Sequence, residues 1–246
     1  MIGFSVVALA VVASSSGSGT RSLPRMLVPA YFDPPSELWR KALTAPARTI
    51  LIVNADNGPG RDVDPAYKRL VARAQAAGHE LIGYVHTSSG ARPPAAVERD
   101  IDRWRSFYRV HDIFFDEVSD AAGQLPYYRA MTAYARMHGA ALMVLNPGTV
   151  PTRGYFGLSA IVVTFEDTYA AYRHARFPRW LRRVPASQQA NIVYAVPTAD
   201  DARATLAAMH ARGVGVGYVT GAGAAGGNPY STLPAYYARE PSWLAR

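Results

Sequence analysis

Two carboxylates stand side by side at the end of Asp112-Ile-Phe-Phe-Asp-Glu-Val118, where an apolar run gives way to Asp116 and Glu117. A short, continuously apolar run is the pattern of a strand buried on both faces. Charge at its end either caps the next helix or serves a site. The device recurs in Ala160-Ile-Val-Val-Thr-Phe-Glu166, which closes on a third carboxylate, Glu166. Sequence neighbours on a strand point to opposite sides, so Asp116 and Glu117 make a poor acid/base pair with each other. One of them set across from Glu166 would supply the two carboxyl groups that glycoside hydrolysis needs. Other apolar runs end in groups suited to sugar hydroxyls and pyranose faces: Tyr31 and Asp33, Asn54 and Asp56, His86, Asn146, and Tyr218. Asp116, Glu117 and Glu166 are thus the candidate catalytic residues, and the other seven are candidates for substrate binding.

Competing chemistries lack their spacing. A metal centre built from His86, Asp116 and Glu166 has no His-x-His or His-x-x-x-His pair to anchor it, and no metal is expected. No Gly-x-Ser-x-Gly elbow presents a nucleophilic serine. The stretch Asn54-Ala-Asp-Asn-Gly-Pro-Gly60 lacks the terminal glutamate of a calcium loop and reads as a substrate loop or a set of Asx turns. Gly221-Ala-Gly-Ala-Ala-Gly226 has the letters of a dinucleotide fingerprint. It comes after the last strand, with no helix-forming run behind it and no acidic partner about twenty residues on, so it reads as a flexible loop and no cofactor is expected.

The elements that must position these groups alternate regularly. Strand-like runs are Met26–Tyr31, Thr49–Asn54, Leu81–His86, Asp112–Val118, Ala141–Asn146, Ala160–Glu166, Asn191–Val196 and Val214–Thr220. Helical spacing follows most of them: about 65–77, stopped at Gly78; a segment with Val97, Ile101, Trp104 and Tyr108 on one face; about 126–138; and 200–212. Eight strands alternating with helices predict a single (β/α)8 TIM barrel of the α/β class, with a doubly wound open sheet as runner-up. In a parallel barrel the carboxyl ends of the strands share one rim, where the polar residues named above would collect.

Bulk properties agree with one large domain. The chain has 246 residues, 49% of them hydrophobic and 18% charged, enough for a sizeable core and contrary to extended disorder. Cysteine is absent, which excludes disulfides and thiolate metal sites. The net charge of +8 draws on clustered arginines at Arg173, Arg176, Arg179, Arg182 and Arg183; no nucleic-acid module accompanies them, and they read as solvated helix faces. Residues 1–22 form an apolar run, Met1 to Ala13, followed by a Ser/Gly stretch. They read as a signal peptide or N-terminal anchor with a linker, although the first basic residue is Arg21. The catalytic domain is then 23–246, and the protein is expected to be secreted or at the cell surface, with no integral membrane domain beyond that possible anchor.

Six stretches in order carry a resemblance. Val28-Pro-Ala-Tyr-Phe-Asp-Pro34, Ile52-Val-Asn-Ala-Asp-Asn-Gly-Pro-Gly60, Gly83-Tyr-Val-His-Thr87, Ile113-Phe-Phe-Asp-Glu-Val118, Asn146-Pro-Gly-Thr149 and Phe165-Glu166 together resemble the spherulin-4 family. That family includes Sph3-type glycoside hydrolases that cut α-1,4-linked N-acetylgalactosamine in galactosaminogalactan. The resemblance implies a (β/α)8 fold, a secreted or surface-attached endo-acting glycosidase, a polysaccharide substrate, and catalysis by Asp116, Glu117 and Glu166. In an α-linked 2-acetamido sugar the acetamido group is badly placed to displace the leaving group, so a retaining reaction needs an enzyme carboxylate as nucleophile. Asp116 or Glu117 would be that nucleophile and Glu166 the general acid/base. A non-catalytic glycan-binding or structural barrel is the alternative function.

Overall fold

A computed structural model of the chain describes residues 24–44, 49–158 and 161–244. The expected signal peptide or anchor, residues 1–22, lies outside the described residues. Eight parallel strands close into a barrel in sequence order: β1 Arg25–Ala30, β2 Thr49–Val53, β3 Glu80–His86, β4 Ile113–Asp116, β5 Met143–Leu145, β6 Ile161–Thr168, β7 Gln189–Tyr194 and β8 Val216–Val219. The (β/α)8 expectation is met, with one local departure. Helices α1 Glu37–Ala42, α2 Pro65–Ala76, α3 Pro94–Tyr108 and α4 Leu125–Met137 follow the first four strands. Between β5 and β6 the described residues make only a 3-10 turn, Arg153–Gly157. Helices α5 Tyr169–His174, α6 Ala199–Ala211 and α7 Glu240–Leu244 follow β6, β7 and β8. Among the described residues no helix is long and apolar enough to cross a membrane.

Local sequence sets the helix ends. The Asp64 carboxylate accepts the Ala66 and Tyr67 N–H groups, Pro65 occupies the first turn of α2, and Gly78 leaves it at φ +81°. Thr198 caps α6 by accepting the Asp201 N–H. Strands β1 to β5 are buried along nearly their whole length, as layers on both sides of a parallel barrel require. Gly83 marks one tight contact on the outer side: a Cβ there would meet the Trp104 ring of α3 at 2.7 Å.

Two irregularities matter for the site. Strand β6 pairs with β7 as Val163↔Ala190 and then Phe165↔Asn191, leaving Thr164 as a bulge. Thr164 and Phe165 therefore both turn outward. Phe165 packs on Tyr172 (ring centroids 4.9 Å) and Phe177, and the next residue, Glu166, turns into the barrel. At the closing seam, β1 pairs with β8 over two residue pairs, Arg25↔Val216 and Met26↔Gly217, against five between β1 and β2. Past that point the Val219 N–H is taken by the buried Glu240 carboxylate of α7 (3.2 Å) in place of a strand carbonyl.

Candidate active site

Period-two alternation along the strands decides which side chains reach the barrel mouth. Gly83 faces outward, so Tyr84 and His86 of β3 face in. On β4, register places Phe114 beside Tyr84 and Asp116 beside His86. The Tyr84 and Phe114 rings stack at 6.2 Å inside the barrel. Asn146 follows β5 on the same side, and the Thr164 bulge brings Glu166 of β6 into line with it.

The centre of the site is one amide. The Asn146 Nδ2 donates to Asp116 Oδ1 at 2.7 Å and to Glu166 Oε2 at 2.5 Å, while its Oδ1 accepts the Gly148 N–H at 3.0 Å. That third bond fixes the amide orientation, so the NH₂ group is the end that faces the acids. Two oxygens bound to one nitrogen at these lengths lie no more than about 5 Å apart. Gly148 also lies against Glu166: its carbonyl accepts the Glu166 N–H at 2.8 Å.

The two acids differ in their surroundings. Burial pushes the Asp116 carboxyl up, opposed by hydrogen bonds from Tyr84, the Glu117 N–H and Asn146, with the nearby charge of Glu117 a lesser upward push. Burial also pushes Glu166 up, and the charge of Asp116 adds to this; only Tyr230 and Asn146 oppose it. The Tyr230 hydroxyl donates to Glu166 Oε1 at 2.5 Å. Asp116 thus has more donors favouring its anion, and Glu166 has a neighbouring anion favouring its proton. Tyr31 completes the wall, its ring edge-on to Tyr84 at 5.7 Å and to Tyr230 at 5.9 Å. Burial and then the charges of Asp116 and Glu166 push the Tyr31 hydroxyl up.

Of the expected residues, Asp116, Glu166, Asn146 and Tyr31 converge, with His86 next to Asp116 in register and its Nδ1 3.3 Å from the Asn57 carbonyl. Glu117 is exposed and takes φ +51°. This turn separates its side chain from that of Asp116, while its carbonyl accepts the Thr87 hydroxyl (2.8 Å) and the Ser89 N–H (2.7 Å). Asn54 is engaged by its own loop: its Oδ1 accepts the Gly58 N–H at 2.8 Å, an Asx-type turn. Asp33 and Asp56 are exposed on the β1 and β2 connections. Tyr218 departs from expectation. It has no exposed surface, and its charged neighbour is Glu240 rather than the acid pair, so it lines no open cleft in this structure.

Two residues were not anticipated as site residues. Tyr84 had a signal, since it lies two residues before His86 on the same strand and so shares its face. Tyr230 had none, because it follows the last strand by a glycine-rich loop, and only the fold returns it to Glu166.

Comparison with known proteins gives consistent relationships. Residues 25–241 match the model of the family described as Spherulation-specific family 4. Spherulin-4 of Physarum polycephalum is 31% identical over 240 residues, spanning 92% of this chain and 71% of that protein. Among solved structures, Aspergillus clavatus Sph3 in complex with GalNAc superposes with a TM-score of 0.77 at 23% identity, covering 91% of this chain and 98% of that one. The Amycolatopsis orientalis BexX/CysO complex gives a TM-score of 0.55 at 18% identity, with 92% of each chain covered. At these identities the structural matches establish the barrel fold.

Proposed function

The chain belongs to the spherulation-specific family 4, and on that premise and the geometry of the cleft we propose that it is an endo-acting glycoside hydrolase of the retaining type. The observation that carries this reading is the single Asn146 amide bonded to both Asp116 and Glu166 at the barrel mouth. Facing oxygens held within about 5 Å of each other by one amide suit a double displacement, in which one carboxylate attacks the sugar directly; an inverting pair stands about 6.5–9.5 Å apart to admit a water.

The surroundings assign the roles. Asp116, with the greater number of donors, is the ionised nucleophile. Its carboxylate bonds to the anomeric carbon as the glycosidic C–O bond breaks, and Glu166 delivers its proton to the departing oxygen. Glu166, now ionised, takes a proton from water as that water attacks the anomeric carbon and releases Asp116. Asn146 holds both acids in place, Tyr84 and Tyr230 donate to one each, and Tyr31 offers a ring edge to the sugar. Glu117, His86, Asp33 and Asp56 are the proposed subsite residues around the opening, with Asn54 shaping the loop that carries Asp56.

The proposed substrate is a polysaccharide containing α-1,4-linked N-acetylgalactosamine. The Sph3 structure from Aspergillus clavatus was determined with GalNAc, and the acids, amide and tyrosines here match the needs of an amino sugar. Export to the cell surface or medium is proposed with it, because a polymer of this kind is met outside the cell. The test is to incubate the purified protein with galactosaminogalactan and identify the products by mass spectrometry, beside the Glu166→Gln variant. On a defined oligosaccharide, ¹H NMR then reads the anomer released first. Oligosaccharides from the wild type only, first released as the α-anomer, are expected. A β-anomer would sink the retaining mechanism, and equal activity of Glu166→Gln would remove the acid/base assignment.

A further inference from the structure

On the rim that carries the acid pair, the connections after β4, β5 and β6 form an open recess of about 460 Å³ lined in part by Asp120, Arg153 and Trp180. A smaller recess of about 150 Å³ shares Arg153 and Trp180 and adds Phe156 and Arg183. The Arg153–Trp180 pair therefore stands between two open spaces and is held from both sides. The Phe156 ring meets the indole edge-on at 5.7 Å, and the Arg153 guanidinium lies 5.1 Å from its centroid. Among the described residues no carboxylate is ion-paired to Arg153, so its fork of donors has no protein partner of opposite charge. Asp120 accepts at Oδ2 from the Thr149 hydroxyl at 3.3 Å and keeps further acceptor sites.

An immobilised indole flanked by a guanidinium and a carboxylate is the set of groups that grips a pyranose. The ring takes the C–H face, and the charged groups take the hydroxyls. The recess is also tied to the acid pair through the chain. One segment, Asn146 to Arg153, carries the amide that bridges the acids and the Gly148 carbonyl bound to the Glu166 N–H. It is then tied to Asp120 through Thr149 and through the Thr152 N–H (3.2 Å to the Asp120 carbonyl) before it reaches the recess. Seven residues span at most about 25 Å, so the recess lies within reach of a chain of several sugars seated at the acid pair.

We propose that this recess is a distal subsite that binds a pyranose ring of the polymer several units from the bond that is cut, with Trp180 as platform and Arg153 and Asp120 as hydroxyl partners. The proposal rests on the glycoside-hydrolase reading for its role in catalysis, but its binding is measurable without turnover.

The experiment is affinity electrophoresis of the full chain in gels containing galactosaminogalactan, comparing wild type, Trp180→Ala, Trp180→Phe and Arg153→Ala, each checked for an unchanged thermal melt. The ratio of kcat/KM on polymer to kcat/KM on an α-1,4-linked GalNAc tetramer is measured alongside. Expected are about tenfold weaker retardation for Trp180→Ala, about 1.4 kcal/mol, an intermediate value for Trp180→Phe, and a comparable fall in the polymer-to-tetramer ratio. Wild type that is not retarded, variants retarded as strongly as wild type, or equal losses on tetramer and polymer would each overturn the subsite. Wild type that is retarded but cleaves nothing, with Trp180→Ala retarded less, would leave the subsite standing and dispose of the hydrolase reading.

Discussion

Replacing Tyr230 by phenylalanine removes one oxygen and keeps the ring packed against Tyr31. Tyr230 is buried, and its hydroxyl donates to Glu166 Oε1 at 2.5 Å. That bond holds the Glu166 carboxyl down against burial and the charge of Asp116. A hydrogen bond to a charged group contributes about 1.5–3 kcal/mol, so its loss should raise the Glu166 carboxyl further above its ordinary value. In the proposed mechanism Glu166 must be protonated to act as the acid. The alkaline limb of the kcat/KM profile should therefore move to higher pH, by a displacement equivalent to that bond's energy, while the acidic limb, set by ionisation of Asp116, stays nearly in place. Rate at the optimum should fall modestly, because the acid holds its proton more tightly. The assay is kcat/KM against pH on a short oligosaccharide, with ¹³C NMR titration of the Glu166 carboxyl as a readout independent of turnover. An alkaline limb that stays put, or a Glu166 carboxyl that titrates at lower pH in the variant, would refute the reasoning.

Asn146→Ala removes the donor common to both acids and should lower kcat by about 10²- to 10³-fold, as loss of a preorganised donor does elsewhere; kcat within a few-fold of wild type would show that the bridge is dispensable. Deleting Thr164 removes the extra residue and leaves Phe165 against Asn191 and Glu166 against Ile192, so Glu166 should still face into the barrel and activity should survive in a folded chain; lost activity in a variant that circular dichroism reports folded would show that the bulge itself sets the position of Glu166. Glu240 is fully buried, and burial raises its carboxyl well above its ordinary value, with the Val219 N–H offsetting only part. The folded state thus binds this proton more tightly than the unfolded chain, so its stabilising contribution is complete below about pH 4.5 and is lost as pH climbs through the raised folded value. Glu240→Gln, neutral throughout, should match wild type in Tm near pH 4 and exceed it increasingly toward pH 8, at about 2–4 °C per kcal/mol for a chain of this size. A constant Tm difference across that range would contradict this.

The strands were legible because each is a near-continuous apolar run, and a barrel buries both faces. The closing acids Asp116 and Glu166 were legible because charge at such ends is conspicuous. What alternation could not reveal is the side each residue takes. Counted straight from Ile161, Glu166 falls on the outer face, and only the Thr164 bulge, which no residue type announces, turns it in. Tyr218 shows a related limit: a polar-tipped residue near a strand end reads as rim, but the depth at which the last strand sits and the packing of Glu240 and Tyr237 beside it are tertiary facts. Asn54 was identified with its loop yet serves the loop itself, since an Asx turn and a ligand contact use the same side-chain oxygen. Tyr230 reaches Glu166 across 64 positions of sequence, and nothing local marks a contact of that range.

The short seam between first and last strands has a consequence for how the protein comes into being. Its upper part is completed by Glu240, which follows every strand of the barrel in sequence, and the cleft is completed by Tyr230 from the same stretch after β8. While the chain emerges from the ribosome, seven strands can gather, but the ring cannot shut and Glu166 lacks its partner. Closing a loop between opposite ends of the chain is the entropically costliest join in the molecule, and it comes last. Until then β1 and β8 present unpaired edges. Barrel closure and completion of the cleft thus both wait on the same stretch of chain.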